Sequence, residues 1–202
     1  MDFSSVLEKR RSIRKFDARP LAGEDVEAIL KAGRCAPSGG NIQPWRYVVI
    51  EDAAMRKRLK EASPLSFFGE APLLILACYD REAVKKLPER GAELTAAGAF
   101  EDITMDAAKA EKLREQRAKD EVEKAFYAVY NTAISVTHMD LAAVSRGLGT
   151  CWIGMFDKEK VRELLGLDER YGIVCFLQIG YALQDPPPRP RLPLDNTVLQ
   201  RI

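Results

Sequence analysis

The feature that most constrains the fold is an unbroken apolar run from Leu73 to Tyr79, which Pro72 precedes. A run without alternating polar residues is typical of a central β-strand that is covered on both of its faces. Ile173 to Ile179 is a second run of this kind, and Tyr47 to Ile50 predicts a further buried strand. Thr150 to Phe156 predicts a short strand and turn, so the chain is expected to build a sheet with helices packed against it.

Helices are predicted between these strands from capping residues and from apolar spacing. Asp2, Asp52 and Asp157 each precede an apolar helical pattern and can cap it. A further helix is expected to end at Gly33. The stretch from Ala125 to Ser145 carries apolar residues around most of its circumference, so it predicts a long helix that is buried on most sides.

Length, charge and motifs narrow the classes to which the protein can belong. At 202 residues the chain is expected to form a single domain over residues 1–202. The formal net charge is +1, which argues against a nucleic-acid-binding surface. No apolar stretch approaches the roughly 20 residues of a membrane span, and no signal peptide is expected. Neither a GxGxxG motif after the first strand nor a P-loop is present, which argues against those nucleotide-binding folds.

The cysteines and the histidine indicate free thiols rather than a metal centre. Cys78 and Cys175 lie in the strand-like runs, and no two cysteines are close in sequence. Buried free thiols in a reducing cytoplasm are therefore expected. Since His138 is the single histidine, no zinc site is predicted, and His138 is expected to be an ordinary helix residue.

Two stretches differ in composition from the rest of the chain. Residues 81–126 are rich in Ala, Glu, Lys and Arg, and residues 103–124 predict a weakly amphipathic helix. This stretch is either a solvated helical excursion or a mobile cover over a site, with Phe126, Tyr127 and Tyr130 at its inner end. Residues 185–202 begin with a proline-rich segment that is expected to be extended, and such an arm often lies across a partner subunit.

Two groups of residues are candidates for a binding site. The loop from Ala36 to Trp45 combines prolines, paired glycines and short polar side chains, so it can pack tightly against a flat ligand. The second group consists of arginines and one serine near the two ends of the chain: Arg10, Arg11, Ser12, Arg14, Arg189 and Arg191. Arginine pairs with phosphate through two parallel hydrogen bonds. On the residues alone, an ordinary Pro/Gly connection and solvated surface charge stay open as alternatives.

Taken in order, four segments of the chain resemble the FMN-dependent nitroreductase family. They are Arg10–Phe16, the loop from Ala36 to Trp45, Gly147–Gly154 and Arg189–Leu194. Residues 80 to about 126 fall outside the match. The resemblance implies an α+β fold with a mixed central β-sheet flanked by helices, and an intertwined homodimer with FMN at its interface. It also implies that the C-terminal arm embraces the other subunit.

The resemblance further implies roles for individual residues. Those implied to hold the FMN phosphate are Arg10, Ser12, Arg189 and Arg191, with Arg11 close by. Those implied to pack on the isoalloxazine from the opposite subunit are Pro37, Ser38, Gly39, Asn41 and Gln43. Arg14 is implied to face the pyrimidine edge, and Gly154 and Met155 to present backbone N–H groups towards the flavin N5. A further polar contact is expected within residues 63–70, where no single residue is assigned.

The implied activity is hydride transfer by a ping-pong mechanism in which the flavin carries the chemistry. NAD(P)H is the implied donor, and the implied acceptor is a small electron-poor molecule of the nitroaromatic or quinone type. No catalytic side chain is predicted, because no acid–base pair is required. The alternatives are a specialised superfamily member, which fragments the flavin with oxygen or dehalogenates aromatic compounds, a flavin-binding module without turnover, and a structural dimer without a cofactor.

Overall fold

The computed structural model describes residues 1–99, 104, 106, 108–110, 112–113, 115 and 120–202. Its helices are α1 (Phe3–Lys9), α2 (Gly23–Arg34), α3 (Ala53–Lys60), α4 (Leu87–Ala96), α5 (Glu121–Ser145) and α6 (Lys158–Leu165). Its strands are β1 (Trp45–Ile50), β2 (Leu73–Asp80), β3 (Gly149–Ile153) and β4 (Tyr171–Gly180). The helix predicted over residues 103–124 falls largely outside the described residues.

The four strands form one sheet in the order β1-β2-β4-β3, with antiparallel neighbours throughout. A single parallel bridge joins Ser12 to Thr150 and makes the sheet mixed at the β3 edge. Every residue of β2 is buried, which confirms the central strand predicted from the apolar run. The predicted α+β architecture is therefore confirmed.

Each face of the sheet is covered by a different pair of helices. Because side chains alternate along β2, Ile75 lies on one face and Leu74 on the other. Ile75 belongs to a core cluster that includes residues of α2 and α5, such as Met139. Leu74 belongs to a second cluster with Leu59 of α3 and Val161 of α6. Each fully buried side chain of this size contributes about 1.5–3 kcal/mol, so both faces stabilise the sheet.

The long helix α5 confirms the prediction of a helix that is buried on most sides. It begins at Glu121, earlier than the predicted Ala125, because the Asp120 side chain accepts hydrogen bonds from the N–H groups of Val122 and Glu123. The prediction that α2 ends at Gly33 is wrong by one residue, since α2 continues to Arg34. Gly33 is instead a packing position of α2. A Cβ atom there would lie 2.7 Å from Cγ of Met139, so the two helices approach too closely for a larger residue.

The prediction of a buried strand at Tyr47–Ile50 needs correction. β1 is an edge strand, and only its two ends, Trp45 and Ile50, are buried. Tyr47 packs against one core cluster, and Val48 and Ile50 pack against the other, so both faces of this edge strand contact the core. The Tyr47 hydroxyl is hydrogen-bonded to the Ser135 hydroxyl, and burial raises the pKa of Tyr47 to about 12.

The local signals at the other helix ends are confirmed. The carboxylates of Asp2, Asp52 and Asp157 each accept backbone N–H groups in the first turn of the helix that follows. Gly166 ends α6 in the left-handed conformation, with φ of 60°. The ends of α1 and α3 position two segments that line one cavity, residues 10–14 after α1 and residues 61–72 after α3.

The thiol predictions are confirmed as well. Cys78, Cys151 and Cys175 are buried and free, and Cys35 is exposed and free. Burial raises the pKa values of Cys78 and Cys175 to about 12, so both thiols are protonated. In the described residues there is no group of side chains that could hold a metal ion. None of the described helices is both long enough and apolar enough to span a bilayer.

Candidate functional site

The arginine-rich segment that follows α1 runs along the open edge of β3. Ser12 pairs with Thr150 in the parallel bridge, and the Ile13 N–H donates to the Thr150 carbonyl oxygen at 2.7 Å. Burial raises the pKa of the Cys151 thiol, while the positive charges of Arg14 and Arg10 oppose that rise. Arg10 precedes the bridge at Ser12, at the end of α1, and Arg14 follows it, so residues 10–14 run along the edge of the sheet.

Arg14 is half-buried, with an aromatic ring as its closest side-chain partner. Its guanidinium carbon lies 5.4 Å from the centroid of the Phe67 ring, within the range of a cation–π contact. Its Nη1 donates to the Ser12 carbonyl oxygen at 3.4 Å, which is a long hydrogen bond. Among the described residues no carboxylate lies within 4.0 Å of the charged nitrogens of Arg10 or Arg14. Within the part of the chain that the structure describes, these two positive charges therefore have no ion-pair partner.

Arg11 has a different environment from its neighbours. Its Nη1 donates to the carbonyl oxygens of Glu8 and Arg10, the latter at 2.9 Å. Its side chain lines a cavity of about 500 Å³ together with Lys9 and residues 185–188. The structure thus directs Arg11 towards the start of the C-terminal arm, while Arg14 lines the cavity on the Phe67 side.

Residues 63–70, where a polar contact was expected, form the wall opposite Arg14. A cavity of about 350 Å³ is lined by Arg14, Lys15, Phe16, Ser66, Phe67 and Glu70. The same segment also reaches the end of β3, since the Ser63 Oγ donates to the Met155 carbonyl oxygen at 2.6 Å. The segment therefore connects Arg14 with the turn at Gly154 and Met155.

The turn after β3 is open to solvent. Met155 is 61% exposed, and a Cβ atom added to Gly154 would meet no heavy atom within 4 Å. A ligand can therefore approach the backbone at Gly154 closely. Beneath β3, the buried Asp140 of α5 accepts from the Thr150 hydroxyl at 2.5 Å and from the Trp152 indole N–H at 2.9 Å, which fixes the strand against α5.

The Pro/Gly loop has an unusual backbone. Asn41 and Gln43 adopt left-handed conformations with φ of 51° and 43°, and Gly40 between α2 and β1 has φ of 58°. Non-glycine residues with positive φ cost about 1–3 kcal/mol each and cluster at functional sites. The Ser38 Oγ accepts the Gln43 N–H at 3.0 Å, so the strained backbone is held within the loop itself.

Helix α5 holds this loop from behind. The Oδ1 of Asn131, which is buried, accepts the Gly39 N–H at 2.9 Å. A Cβ atom at Gly39 would overlap the Tyr127 hydroxyl, so only glycine allows the loop to lie this close to α5. Pro37 precedes this contact and Trp45, which is buried, ends the loop in β1.

The Pro/Gly loop and the β3 edge, where the arginine-rich segment pairs, are held by α5 at different positions along its axis. Asn131 holds the loop, and Asp140 lies behind Thr150, the bridge partner of Ser12. Nine residues of α-helix correspond to roughly 13 Å along the axis. Arg189 and Arg191 lie on the exposed C-terminal arm. A single chain therefore brings Arg10, Ser12, Arg14 and Gly154 to one edge of the sheet, and no hydrogen bond within the described residues joins these four to the loop or to Arg189 and Arg191.

The side chains at the β3 edge suit an elongated ligand with an anionic end. Uncompensated guanidinium groups and a hydroxyl are donors, and phosphate oxygens are the acceptors that they bind best. The open backbone at Gly154 can approach a flat ring, and Phe67 supplies an apolar surface. These donors and surfaces fit a phosphate-bearing aromatic cofactor.

Three supporting residues were missed by the sequence analysis: Asn131, Phe67 and Gln178. Gln178 is a polar residue inside an otherwise apolar strand, which is a local sequence signal of a buried hydrogen-bonding role. Its buried Oε1 accepts the Gly69 N–H at 2.7 Å, so it holds the segment that carries Phe67. The roles of Phe67 and Asn131 depend on contacts between distant segments, for which the sequence has no local signal.

Comparisons with known proteins identify the family. The sequence model described as the nitroreductase family matches residues 7–181. The chain is 30% identical, over 100% of its length and 97% of the relative, to a protein of Thermus thermophilus named NADH dehydrogenase. It is 31% identical, over 96% of its length and 95% of the relative, to YdgI of Bacillus subtilis, which is named as a candidate NAD(P)H nitroreductase.

Solved structures share the fold. A nitroreductase family protein from Streptococcus pneumoniae TIGR4 superposes with a TM-score of 0.79 at 25% identity, over 99% of this chain and 100% of that one. A structure from Exiguobacterium sibiricum 255-15, determined in complex with FMN, superposes with a TM-score of 0.78 at 24% identity, over 100% and 98% of the two chains.

Proposed function

Because this chain belongs to the nitroreductase family, we propose that it is an FMN-dependent oxidoreductase that uses NAD(P)H to reduce an electron-poor acceptor of the nitroaromatic or quinone type. The observation that carries the proposal is the edge of β3, where Ser12 pairs with Thr150 and the neighbouring Arg10 and Arg14 have no carboxylate partner in the described residues. The FMN complex of the structural relative supports the choice of cofactor.

FMN supplies the hydride chemistry when it is bound, and the protein binds and orients it. Arg10 and Ser12 bind its phosphate from the β3 edge, and Arg189 and Arg191 bind it from the exposed arm. Arg11 lies beside this site, with its guanidinium group held by backbone carbonyls. Alternate residues on an extended chain share one face, so Arg189 and Arg191 can point to the same anion.

Arg14 provides positive charge at the pyrimidine edge of the flavin, where reduction places negative charge. A charge-assisted hydrogen bond there contributes about 1.5–3 kcal/mol in favour of the reduced cofactor. For a two-electron couple 1.4 kcal/mol corresponds to about 30 mV, so Arg14→Ala is expected to lower the midpoint potential by about 30–60 mV. Gly154 and Met155 present backbone N–H groups to the N5 side, and the hydrogen bond from Ser63 to the Met155 carbonyl holds their turn.

The remaining wall of the site comes from a second subunit in this proposal. Pro37, Ser38, Gly39, Asn41 and Gln43 of the opposite chain pack on the isoalloxazine. The separation of the loop from the β3 edge within one chain supports a homodimer. Exposed apolar side chains on α1 and on the arm support it too, since Phe3 is 67% and Leu192 68% exposed. A cytoplasmic location is part of the same proposal, in keeping with the free thiols.

The decisive experiment is a visible absorption spectrum of the purified protein followed by anaerobic stopped-flow mixing. A flavin spectrum, bleaching by NADH or NADPH, and recovery on addition of a quinone are the expected results. Initial rates at several acceptor concentrations should give parallel double-reciprocal lines, as a ping-pong mechanism requires. A bound flavin that neither nucleotide reduces would identify a binding module, and a colourless protein that does not take up added FMN would refute the proposal.

A further inference from the structure

The ring of Phe67 lies beneath the guanidinium group of Arg14, and little else restrains that group. The distance from the Arg14 guanidinium carbon to the ring centroid is 5.4 Å, and within the described residues this side chain donates one hydrogen bond, to the Ser12 carbonyl oxygen at 3.4 Å. No carboxylate in the described part of the chain pairs with Arg14. A long arginine side chain without a firm partner samples several rotamers, and each of them places its charge differently.

We propose that Phe67 is a positioning residue that sets the electron affinity of the bound flavin through Arg14. This inference rests on the proposed function, since it assumes FMN beside Arg14. The aromatic face attracts the cation, which reduces the number of rotamers available to Arg14. The charge is then in place before the cofactor is reduced, so no side-chain ordering is required at that step.

Phe67 can act in this way because its own segment is fixed from below. Phe68, the next residue, is fully buried and packs on Phe156 and Phe176, with ring centroids 6.5 and 5.0 Å away. Gly69 follows with φ of 82°, and its N–H donates to the buried Oε1 of Gln178 at 2.7 Å.

A second clamp acts on the other end of this turn. The Arg56 Nη1 donates to the Ala71 carbonyl oxygen at 2.7 Å and to the Gly69 carbonyl oxygen at 3.3 Å. These contacts fix the backbone next to Phe67 to the core and to α3. The ring therefore offers a rigid platform, and the mobile partner of the pair is Arg14.

The test compares Phe67→Leu, Phe67→Tyr, Arg14→Ala and the double variant Arg14→Ala/Phe67→Leu as flavin-loaded proteins. Leucine keeps apolar bulk and removes the π face, while tyrosine keeps both. Spectroelectrochemistry measures the midpoint potential, and fluorescence titration measures the Kd of oxidised FMN. Urea unfolding of each variant shows whether the fold is retained.

We expect Phe67→Leu to reduce the preference for reduced over oxidised FMN about threefold to tenfold, where tenfold corresponds to about 30 mV for a two-electron couple. Phe67→Tyr should retain the wild-type potential. The double variant should have the potential of Arg14→Ala, because Phe67 acts through Arg14 alone. If Phe67 had a purely structural role, Phe67→Leu would change stability and the Kd of FMN, and its effect would not depend on whether Arg14 is present.

Two results would overturn the inference. One is a wild-type potential in Phe67→Leu while Arg14→Ala shifts it. The other is additive shifts in the double variant, which would mean that the ring acts on the flavin independently of Arg14. If instead Arg14→Ala leaves the potential unchanged, the role of Arg14 and this inference both fail while the proposed oxidoreductase function stands. If the wild-type protein binds no FMN, the proposed function itself fails.

Discussion

Two groups of arginines in this molecule have opposite surroundings. Arg46 and Arg170 meet the buried carboxylate of Asp80 at the end of β2. Arg170 donates from Nε and Nη2 at 2.8 and 2.7 Å, and Arg46 donates from Nη2 at 3.4 Å. At the β3 edge, Arg10 and Arg14 have no such partner within the described ranges.

The difference shows how one residue type serves two purposes. The hydrogen bonds from Arg170 lower the pKa of Asp80, which keeps its carboxylate charged beside the two guanidinium groups. The Asp80 backbone N–H donates to the Pro44 carbonyl oxygen at 2.8 Å, a hydrogen bond that does not depend on the carboxylate. The carboxylate of Asp80 pairs with two arginines of the same chain. Arg10 and Arg14 at the β3 edge have no such pair within the described residues, so their charge is available to an anionic ligand. Substitutions in the two groups should therefore affect different measurements.

Asp80→Ala should have the largest effect, and on stability. It leaves two arginines without their acceptor at the end of a buried strand. Removal of one partner of a buried ion pair costs about 3–5 kcal/mol, and we expect about 3 kcal/mol here because both guanidinium groups remain in contact with water. Urea unfolding measures the change, and the FMN content of the folded fraction should stay at the wild-type level.

Glu82→Ala is the matched control for this substitution. Glu82 lies two residues from Asp80, and its carboxylate pairs with Lys85 at 2.6 Å on the exposed surface. An exposed pair of this kind contributes at most about 1 kcal/mol. Equal losses of stability in Asp80→Ala and Glu82→Ala would remove the distinction between the buried cluster and ordinary surface charge.

Arg10→Ala should have the reverse phenotype. Loss of a charge-assisted hydrogen bond of about 1.5–3 kcal/mol weakens FMN binding by roughly 10- to 150-fold. The free energy of unfolding of the cofactor-free protein should change little, because Arg10 has no carboxylate partner to lose among the described residues. Fluorescence titration measures the Kd, with Arg170→Ala as the comparison, which should lose stability and keep its FMN affinity. Tight FMN binding by Arg10→Ala would contradict the placement of the phosphate.

The acid dependence of stability should distinguish the two groups further. Since the pKa of Asp80 is lowered in the fold, its contribution is fully present above its unfolded pKa near 3.9 and is lost as the pH falls through the lower folded value. The stability difference between wild type and Asp80→Asn should therefore be constant from pH 7 to pH 5 and should narrow below about pH 4. Urea unfolding across this range measures it, and a difference that widens in acid would have the wrong sign.

The sequence supports the fold better than it supports the site, and particular residues show why. The run from Leu73 to Tyr79 is a local pattern, and its burial on both faces follows directly from its composition. Asp52 and Asp157 are local signals as well, because a cap acts only on the turn that follows it. The prediction for β1 is wrong because an apolar edge strand has the same composition as a buried one.

The hydrogen bonds that hold the segments of the site join residues that are far apart in the chain. Gln178 holds Gly69, and Asn131 holds Gly39, only because the sheet register and the path of α5 bring them together. The arginines were candidates from the sequence itself, and the family resemblance implied their individual roles toward FMN. Which arginine can bind a ligand depends on its side-chain partners, and these are known only from the structure. Arg11 donates to backbone carbonyls, whereas Arg10 and Arg14 have no carboxylate partner within the described residues.

Arg11→Ala should therefore have the smallest effect among the arginines near the site. The Arg11 guanidinium already donates to two backbone carbonyls and lines the cavity next to residues 185–188. A donor whose hydrogen bonds are satisfied within the chain gains less from an added anion, so we expect the Kd of FMN to change less than about threefold, or roughly 0.7 kcal/mol. Arg11→Lys and Arg10→Lys form the matched pair, because lysine keeps the charge and loses the two-pronged geometry. If Arg11→Ala weakened FMN binding as strongly as Arg10→Ala, Arg11 would have to leave its carbonyl partners in the loaded dimer. The difference between satisfied and uncompensated arginines would then hold only for the free chain.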